Sequence, residues 1–502
     1  MDTRRERMIQ WAMPSLQSPS RLRAQAAILL FFTLNFAYLA ISSGRVRTID
    51  EVSVDFLTES LITKGTSSVP QAVNANLFYG KLDRQGRPQT PYGMGQALLI
   101  APWYAAGKLA SERLPGIPVN AKNLVQDAVL VASNATFAAL AVTLLFLLLS
   151  ALGVSLRNSL LAALLLGFAT PLLAYSTWLF SEPIAVFLLM AAALALFSVQ
   201  SGQITFARTV LAGAALGVAL WVRPTHVIAA PVFLFALMMQ DRRNGWRAAL
   251  QTGMIVGLFG GLYLLRNELF FGNPFDFGYP AAAEGGKLVI SFHTPLFTGL
   301  YGFLLSPGKS VFLFAPPVLL ALLGIKNLAK RSKGLAFVAI VTPLVYLFFF
   351  ARYTQWEGGF CVGPRYLVPA ISLLCLAVGP LLEDKANWTR IATLVLVAGF
   401  LIQIPGIATS FLEDQARGRY YDQKFNYRME YAPLISQTKL FAHYATSSVP
   451  APLGLGFDRW FVFLGKAGVS KPLLYSVLLF QIAGTIGFAL LIKKSKEPER
   501  AT

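Results

Sequence analysis

The sequence predicts an all-α polytopic membrane protein with about 12 transmembrane helices. Two features of composition and one of charge placement carry that expectation. Hydrophobic residues make up 55% of the 502, and only 13% are charged, where a soluble domain carries about a quarter. Runs such as "AQAAILLFFTLNFAYLAIS" and "LVLVAGFLIQIPGIA" have the length of bilayer spans, and a backbone in lipid must satisfy its own hydrogen bonds as helix. The net charge of +19 gathers between apolar runs, in "RRER", "DRRNGWR", "KNLAKRSK" and "KKSKEPER". That is the placement of cytoplasmic loops under the positive-inside rule, with contact to anionic lipid, so no nucleic-acid partner is expected.

Taken in order, the expected spans cover roughly 25–43, 126–152, 159–178, 183–200, 208–222, 225–240, 250–268, 310–326, 335–351, 366–382, 390–409 and 473–492. The first run is too long for a cleavable signal and lacks a small-residue exit, so it is expected to stay as an anchor. Pro224 separates the short fifth and sixth spans, because proline disfavours helix at the residue before it. An even count leaves both termini and all the basic clusters on the inner side.

The other side holds longer segments: a first loop over 44–125, then 269–309, 352–365 and 410–472. In the first loop "DEVSVDFLTESLI" sets Val54, Leu57 and Leu61 on one face and Asp55 and Glu59 on another, as an interfacial helix would. "YGMGQALLIAPWYAAGKLA" is expected to be a second interfacial or partly inserted helix. The chain is divided into a transmembrane region over 1–409, a small cap segment over 410–472, and a last span with a basic tail over 473–502. The two cysteines, Cys361 and Cys375, are too few for a disulfide framework and are expected as thiols.

Asp50 and Glu51 stand side by side just after the first span. Thr48 and Glu51 fit an S/T-x-x-E capping box, which places Asp50 in a first helical turn where the dipole favours an anion. Arg45 and Arg47 are expected to pair with these acids or with headgroups. Glu182 in "WLFSEP" fits a helix start with Ser181 as N-cap. Charge near the end of a span is expensive unless used or snorkelling, which singles out Arg365 in "VGPRY", then Lys309 in "SPGKS" and Arg266 in "LLRNELFF". Arg223 in "WVRPTH", between two short spans, is a further candidate, with pairing to a buried carboxylate as the alternative. The outer aromatics, Tyr92, Trp103, Tyr104, Trp178, Tyr353, Trp356 and Tyr366, fit either an interfacial belt or a sugar platform. His226 and His293 stand outside any zinc-binding spacing. No P-loop appears.

"TIDE" after the first span, "TPYGMGQALLIAPWY", "LFSEP" and "GPRYLVPA" resemble the GT-C superfamily. These membrane glycosyltransferases use polyprenyl-phosphate sugars. By pattern the likeness is to protein O-mannosyltransferases and lipid A aminoarabinose transferases. "LLSPGKSVFLFAPP" and "WEGGFCVGPRYLVPA" resemble uncharacterised bacterial members. The resemblance implies an inverting transferase in the inner (plasma) membrane with GT-C-like extracytoplasmic loops. It would move a sugar from a polyprenyl-phosphate donor to a hydroxyl of a lipid, glycan or protein. It implies Asp50 as base or ligand of a divalent metal ion, with Glu51 and Glu182 assisting. Arg365 with Lys309 or Arg266 would hold the phosphate, beside Tyr366. His293, in an outer loop, is expected as a surface histidine, with contact to the acceptor as the alternative. The rival expectation is a secondary transporter or flippase. Such folds show two related halves and charge in mid-membrane, and this sequence shows neither.

Overall fold

A computed structural model describes residues 19–198, 204–280, 292–417, 426–447 and 455–494. The basic clusters at the far N-terminus and in the tail, and parts of the cap segment, lie outside those residues. Among the described residues seven helices are long and apolar enough to cross a membrane: Arg21–Ala40, Val119–Ala151, Gly245–Phe271, Lys333–Ala351, Arg365–Leu382, Ala386–Ala408 and Lys471–Lys493. Five apolar helices are shorter: Leu156–Phe168, Glu182–Phe197, Phe206–Val222, Pro224–Gln240 and Leu296–Leu305. The chain is a multi-pass helical membrane protein.

The expected spans map onto these helices with two differences. The stretch 310–326 is split into Val311–Phe314 and Pro317–Arg331, because Pro316 and Pro317 interrupt the helix between them. The stretch 159–178 ends as a helix at Phe168 and resumes for one turn at Leu172–Tyr175, after Pro171. The segment 269–309, expected as an outer loop, contains the apolar helix Leu296–Leu305.

The core lies where Lys122–Ala151 and Glu182–Phe197 pack together, with Arg365–Leu382 wholly buried beside them. Lys471–Lys493 is the opposite case: none of its most apolar stretch is buried inside the protein, and it leans on the first span through Phe36 and Phe488. Such a helix keeps its apolar surface only in lipid. Phe206–Val222 meets Gly245–Phe271 through Gly213 and Gly217. A Cβ on Gly217 would stand 2.4 Å from Phe259 Cγ, so this small-xxx-small pair lets the two backbones approach.

Both first-loop helices form. Ile49–Lys64 buries Val54 and Leu57, and Met94–Arg113 runs along it and along Lys122–Ala151. Between them the short strands Lys81–Leu82 and Pro88–Gln89 pair antiparallel. The cap segment contributes Phe411–Arg417, Pro433–Thr446 and Trp460–Lys466. One ion cluster ties it to the segment just after the first span. Asp458 accepts from Arg45 Nη2 at 2.5 Å and is also paired with Arg47. This corrects the expectation that the two arginines pair with Asp50 or Glu51 through their side chains. Arg47 reaches Glu51 through its backbone amide, at 3.0 Å. Cys361 and Cys375 are both buried and outside any disulfide.

Candidate active site

The site begins with a helix start. Thr48 caps Ile49–Lys64 in a complete capping box. Glu51 is fully buried, and both its oxygens are committed. Oε2 accepts from the amides of Arg47 and Thr48, and Oε1 accepts from the amide of Leu179 at 2.9 Å. The expected assisting role of Glu51 is corrected accordingly: it ties the first loop to the Leu179–Glu182 segment and faces away from the cleft. Asp50, one residue earlier, points the other way.

Asp50 meets two groups from distant parts of the chain. Its Oδ2 lies 2.7 Å from Arg365 Nη2, and its Oδ1 accepts from the Tyr92 hydroxyl at 2.5 Å. Arg365 turns its other edge to Glu182, Nε to Oε1 at 2.8 Å, and donates from Nη1 to the Gly358 carbonyl at 3.3 Å. Arg223 approaches the same Glu182 oxygen at 3.5 Å. Two carboxylates and two guanidiniums therefore form one connected group. Asp50 is its most open acid: its side chain is 24% exposed, against 3% for Glu182.

Packing fixes this group. The Arg365 guanidinium lies 4.1 Å from the Phe180 ring centre, and that of Arg223 lies 4.5 Å from Tyr366, so each cation is backed by an aromatic face. Tyr366 in turn stacks on Phe350 at 4.5 Å. Ser181 holds the N-cap position of Glu182–Phe197, yet its side chain makes no capping bond. The acid of that first turn is directed at the arginines. The "PYGMG" stretch is close-packed against the end of Phe206–Val222. A Cβ on Gly93 would fall 2.0 Å from the Val222 carbonyl oxygen, so only glycine permits this approach, which sets Tyr92 beside Arg223 and Asp50.

The cleft beside the group is small, about 30 Å³, and is lined by Asp50, Tyr92, Gln96, Arg223, Tyr279 and Arg365 among others. Burial disfavours the charged form of Asp50, but Arg365, the Tyr92 hydroxyl and Arg223 outweigh it, so its carboxyl titrates below the usual range. Burial, then Asp50 itself, pushes the Tyr92 phenol well above its ordinary value. Tyr92 thus keeps its proton and donates it to Asp50.

The structure brings Asp50, Glu182, Arg365 and Tyr366 together and leaves three predicted residues outside. Lys309 is buried, and its Nζ donates to the Cys361 carbonyl at 3.0 Å and touches Sγ at 3.2 Å. It holds the strap that carries Gly358. Arg266 lies over Phe270 at 4.7 Å and donates to Asn267. His293 is exposed and away from the cleft lining. Each of the three is corrected as a cleft residue, because its local contacts, or its exposure, hold it elsewhere. Among the lining residues, Tyr279 carries no signal in the sequence, and Tyr92 and Arg223 stand there only as an outer aromatic and as a cation between two short spans. The signal for Tyr92 was the pair of glycines after it, and for Arg223 the proline that ends its helix.

The arrangement does not fit a divalent metal ion between Asp50 and Glu182. The Arg365 guanidinium already bridges the two carboxylates, and among the described residues no three His, Cys, Asp or Glu side chains stand together as a ligand set.

No family matches the chain, and no curated protein matches its sequence. Among solved structures it is similar to the crystal structure of ArnT from Cupriavidus metallidurans in the apo state, with a TM-score of 0.49 and 14% identity. It is also similar to that of the same protein bound to undecaprenyl phosphate, with a TM-score of 0.42 and 15% identity. Each alignment covers 94% of this chain and 76% of the other.

Proposed function

We propose that this chain is an inverting glycosyltransferase that moves a sugar from a polyprenyl-phosphate donor to an acceptor hydroxyl on the extracytoplasmic face of the inner (plasma) membrane. The carrying observation is that Asp50 and the two arginines line one cleft, beside a buried second carboxylate, in a bundle otherwise made of apolar helices. A carboxylate and a pair of fixed cations are what this reaction needs. The acceptor oxygen attacks the anomeric carbon, its proton passes to Asp50, and the bond from that carbon to the phosphate oxygen breaks. The electron pair stays on the departing phosphate.

Arg365 and Arg223 meet the charge that builds on that phosphate. Arginine suits the task because its fork can bind two oxygens. Fixed donors aimed at developing charge lower the barrier most when they need no rearrangement. Glu182, a buried counter-ion beyond the cleft lining, is the positioning residue for both cations. The resemblance noted in the sequence agrees in one respect: the acid after the first span is the residue it assigns to base chemistry.

The test is turnover in crude membranes, which supply their own acceptors, with undecaprenyl-phosphate hexoses and pentoses as donors. Release of undecaprenyl phosphate with a new glycosidic product supports the reading. Flux of the intact lipid-linked sugar across proteoliposomes, with no glycosidic product, would instead make the protein a flippase.

A further inference from the structure

The two oxygens of Asp50 have different partners, and the difference has a consequence for catalysis. Oδ2 is held by Arg365 and Oδ1 by Tyr92. Arg365 is also the cation that the donor phosphate must recruit. We infer that Tyr92 is the residue that keeps Asp50 in place for proton transfer once the donor phosphate draws Arg365 away, so that Oδ2 is the oxygen that takes the proton. This rests on the transferase reading above.

Charge balance supports the exchange. Asp50 and Glu182 are offset by Arg365 and Arg223, so the group is formally neutral without donor. A phosphodiester adds one negative charge. The guanidinium then divides itself between phosphate and carboxylates, and Asp50 loses part of the partner that keeps it a weak base. Its affinity for a proton rises at the moment an acceptor hydroxyl needs a base. Without a second anchor the carboxylate would be free to rotate as Arg365 shifts. Tyr92 supplies that anchor. Its ring is 5.9 Å from Tyr79, which in turn meets Tyr279 at 6.3 Å. Its backbone is wedged by Gly93 against Val222. The phenol is a fixed post in a wall, whereas Arg365 is shared among Asp50, Glu182 and Gly358.

The titrating and charged groups that face Asp50 are Arg365, Arg223 and Tyr92, with the phenols of Tyr79, Tyr279, Tyr353 and Tyr366 around them. All are cationic or neutral at physiological pH, and the donor is a phosphodiester that does not titrate above about pH 2. Glu182, the other acid of the group, reaches Asp50 only through Arg365, so a limb that moves with the Tyr92 substitution reports Asp50.

The experiment is the pH profile of kcat at saturating donor in membranes, which reports the donor-bound state, with an undecaprenyl-phosphate hexose as donor, for the natural protein, Y92F and D50N. The Tyr92 hydroxyl favours ionised Asp50, so Y92F should move the acid limb upward by about one pH unit and lower kcat by about tenfold to a hundredfold, with donor KM little changed. A second variant carries 3-fluorotyrosine at position 92. Its more acidic phenol donates more strongly, and the limb should move the other way. If the limb stays in place in both variants, Tyr92 only fills space and the inference is overturned, however far the rate falls. Full turnover by D50N is a separate outcome: it removes Asp50 as base and the transferase mechanism with it, whereas an inactive D50N beside an unmoved Y92F limb removes Tyr92 alone.

Discussion

Arg365 and Glu182 lie 183 residues apart and meet at 2.8 Å, Nε to Oε1, behind the floor of the cleft. The carboxylate is 3% exposed and the guanidinium 7%. The acid fixes the direction of the cation, and the cation carries that direction to Asp50. Glu182 also approaches Arg223, so one buried carboxylate sets the aim of both candidate phosphate ligands.

Removing that carboxylate should be felt as lost stability before lost chemistry. E182A leaves two buried guanidiniums without their shared counter-ion, which costs about 3–5 kcal/mol when one partner of a buried pair is removed. Thermal unfolding in detergent should show a clear drop in Tm. E182Q keeps the shape and one acceptor, so it should fold better than E182A and still lose activity as Arg365 drifts. An E182A protein as stable as the natural one would show that the pair is not coupled.

R365K tests the fork itself. Lysine brings one point charge where arginine reaches Asp50, Glu182 and Gly358 at once. Turnover should fall by about 10²–10³-fold, the scale for loss of a fixed charge-stabilising donor. R223K, where the arginine meets Glu182 at a longer 3.5 Å and otherwise lies over Tyr366, should lose less. Steady-state rates against donor concentration measure both, and an R365K protein with unchanged turnover contradicts the assignment.

D458N should loosen the cap segment without touching the cleft. Asp458 is the shared partner of Arg45 and Arg47, and the amide of Trp460 donates to the Ser42 carbonyl at 3.0 Å. Breaking a buried ion cluster of this kind costs about 3–5 kcal/mol. Limited proteolysis should cut the segment after the Ala386–Ala408 helix sooner in D458N than in the natural protein.

Acid should weaken the fold partly through Asp50. Its native carboxyl titrates below the ordinary value, held there by Arg365 and Tyr92 against the effect of burial. Its contribution is therefore complete above about pH 4 and is lost as pH falls through the lower native value. In thermal unfolding across that range the natural protein should lose Tm more steeply than D50N. Parallel curves would show that Asp50 is not strained between these partners.

Much of the fold was legible because lipid leaves few options. A long apolar run must be helix, and the capping box at Thr48 and Glu51 fixed the start of the first-loop helix and the exposure of Asp50. What was not legible has a common cause. "SPGKS" looks like a loop cation at the surface, but the chain folds the Cys361 carbonyl back onto Lys309, and nothing local to residue 309 announces that. Arg45 and Arg47 were read as partners of nearby acids, whereas their partner is more than 400 residues away, at Asp458. Glu51 and Asp50 looked equivalent in sequence. A helix turn separates them by direction, one toward buried amides and one toward the cleft. Pairings across the bundle depend on how helices meet, and the sequence alone does not encode that in any short motif.

One measurement bears on the central claim most directly. Membranes carrying the natural protein or D50N are given an undecaprenyl-phosphate hexose labelled in the sugar, and transfer to acceptor is followed while matched expression and elution profiles confirm folding. The account predicts that label moves with the natural protein and that D50N is inactive, its rate at least about 10³-fold lower, since the amide cannot take the proton. Transfer by D50N at the natural rate would contradict it.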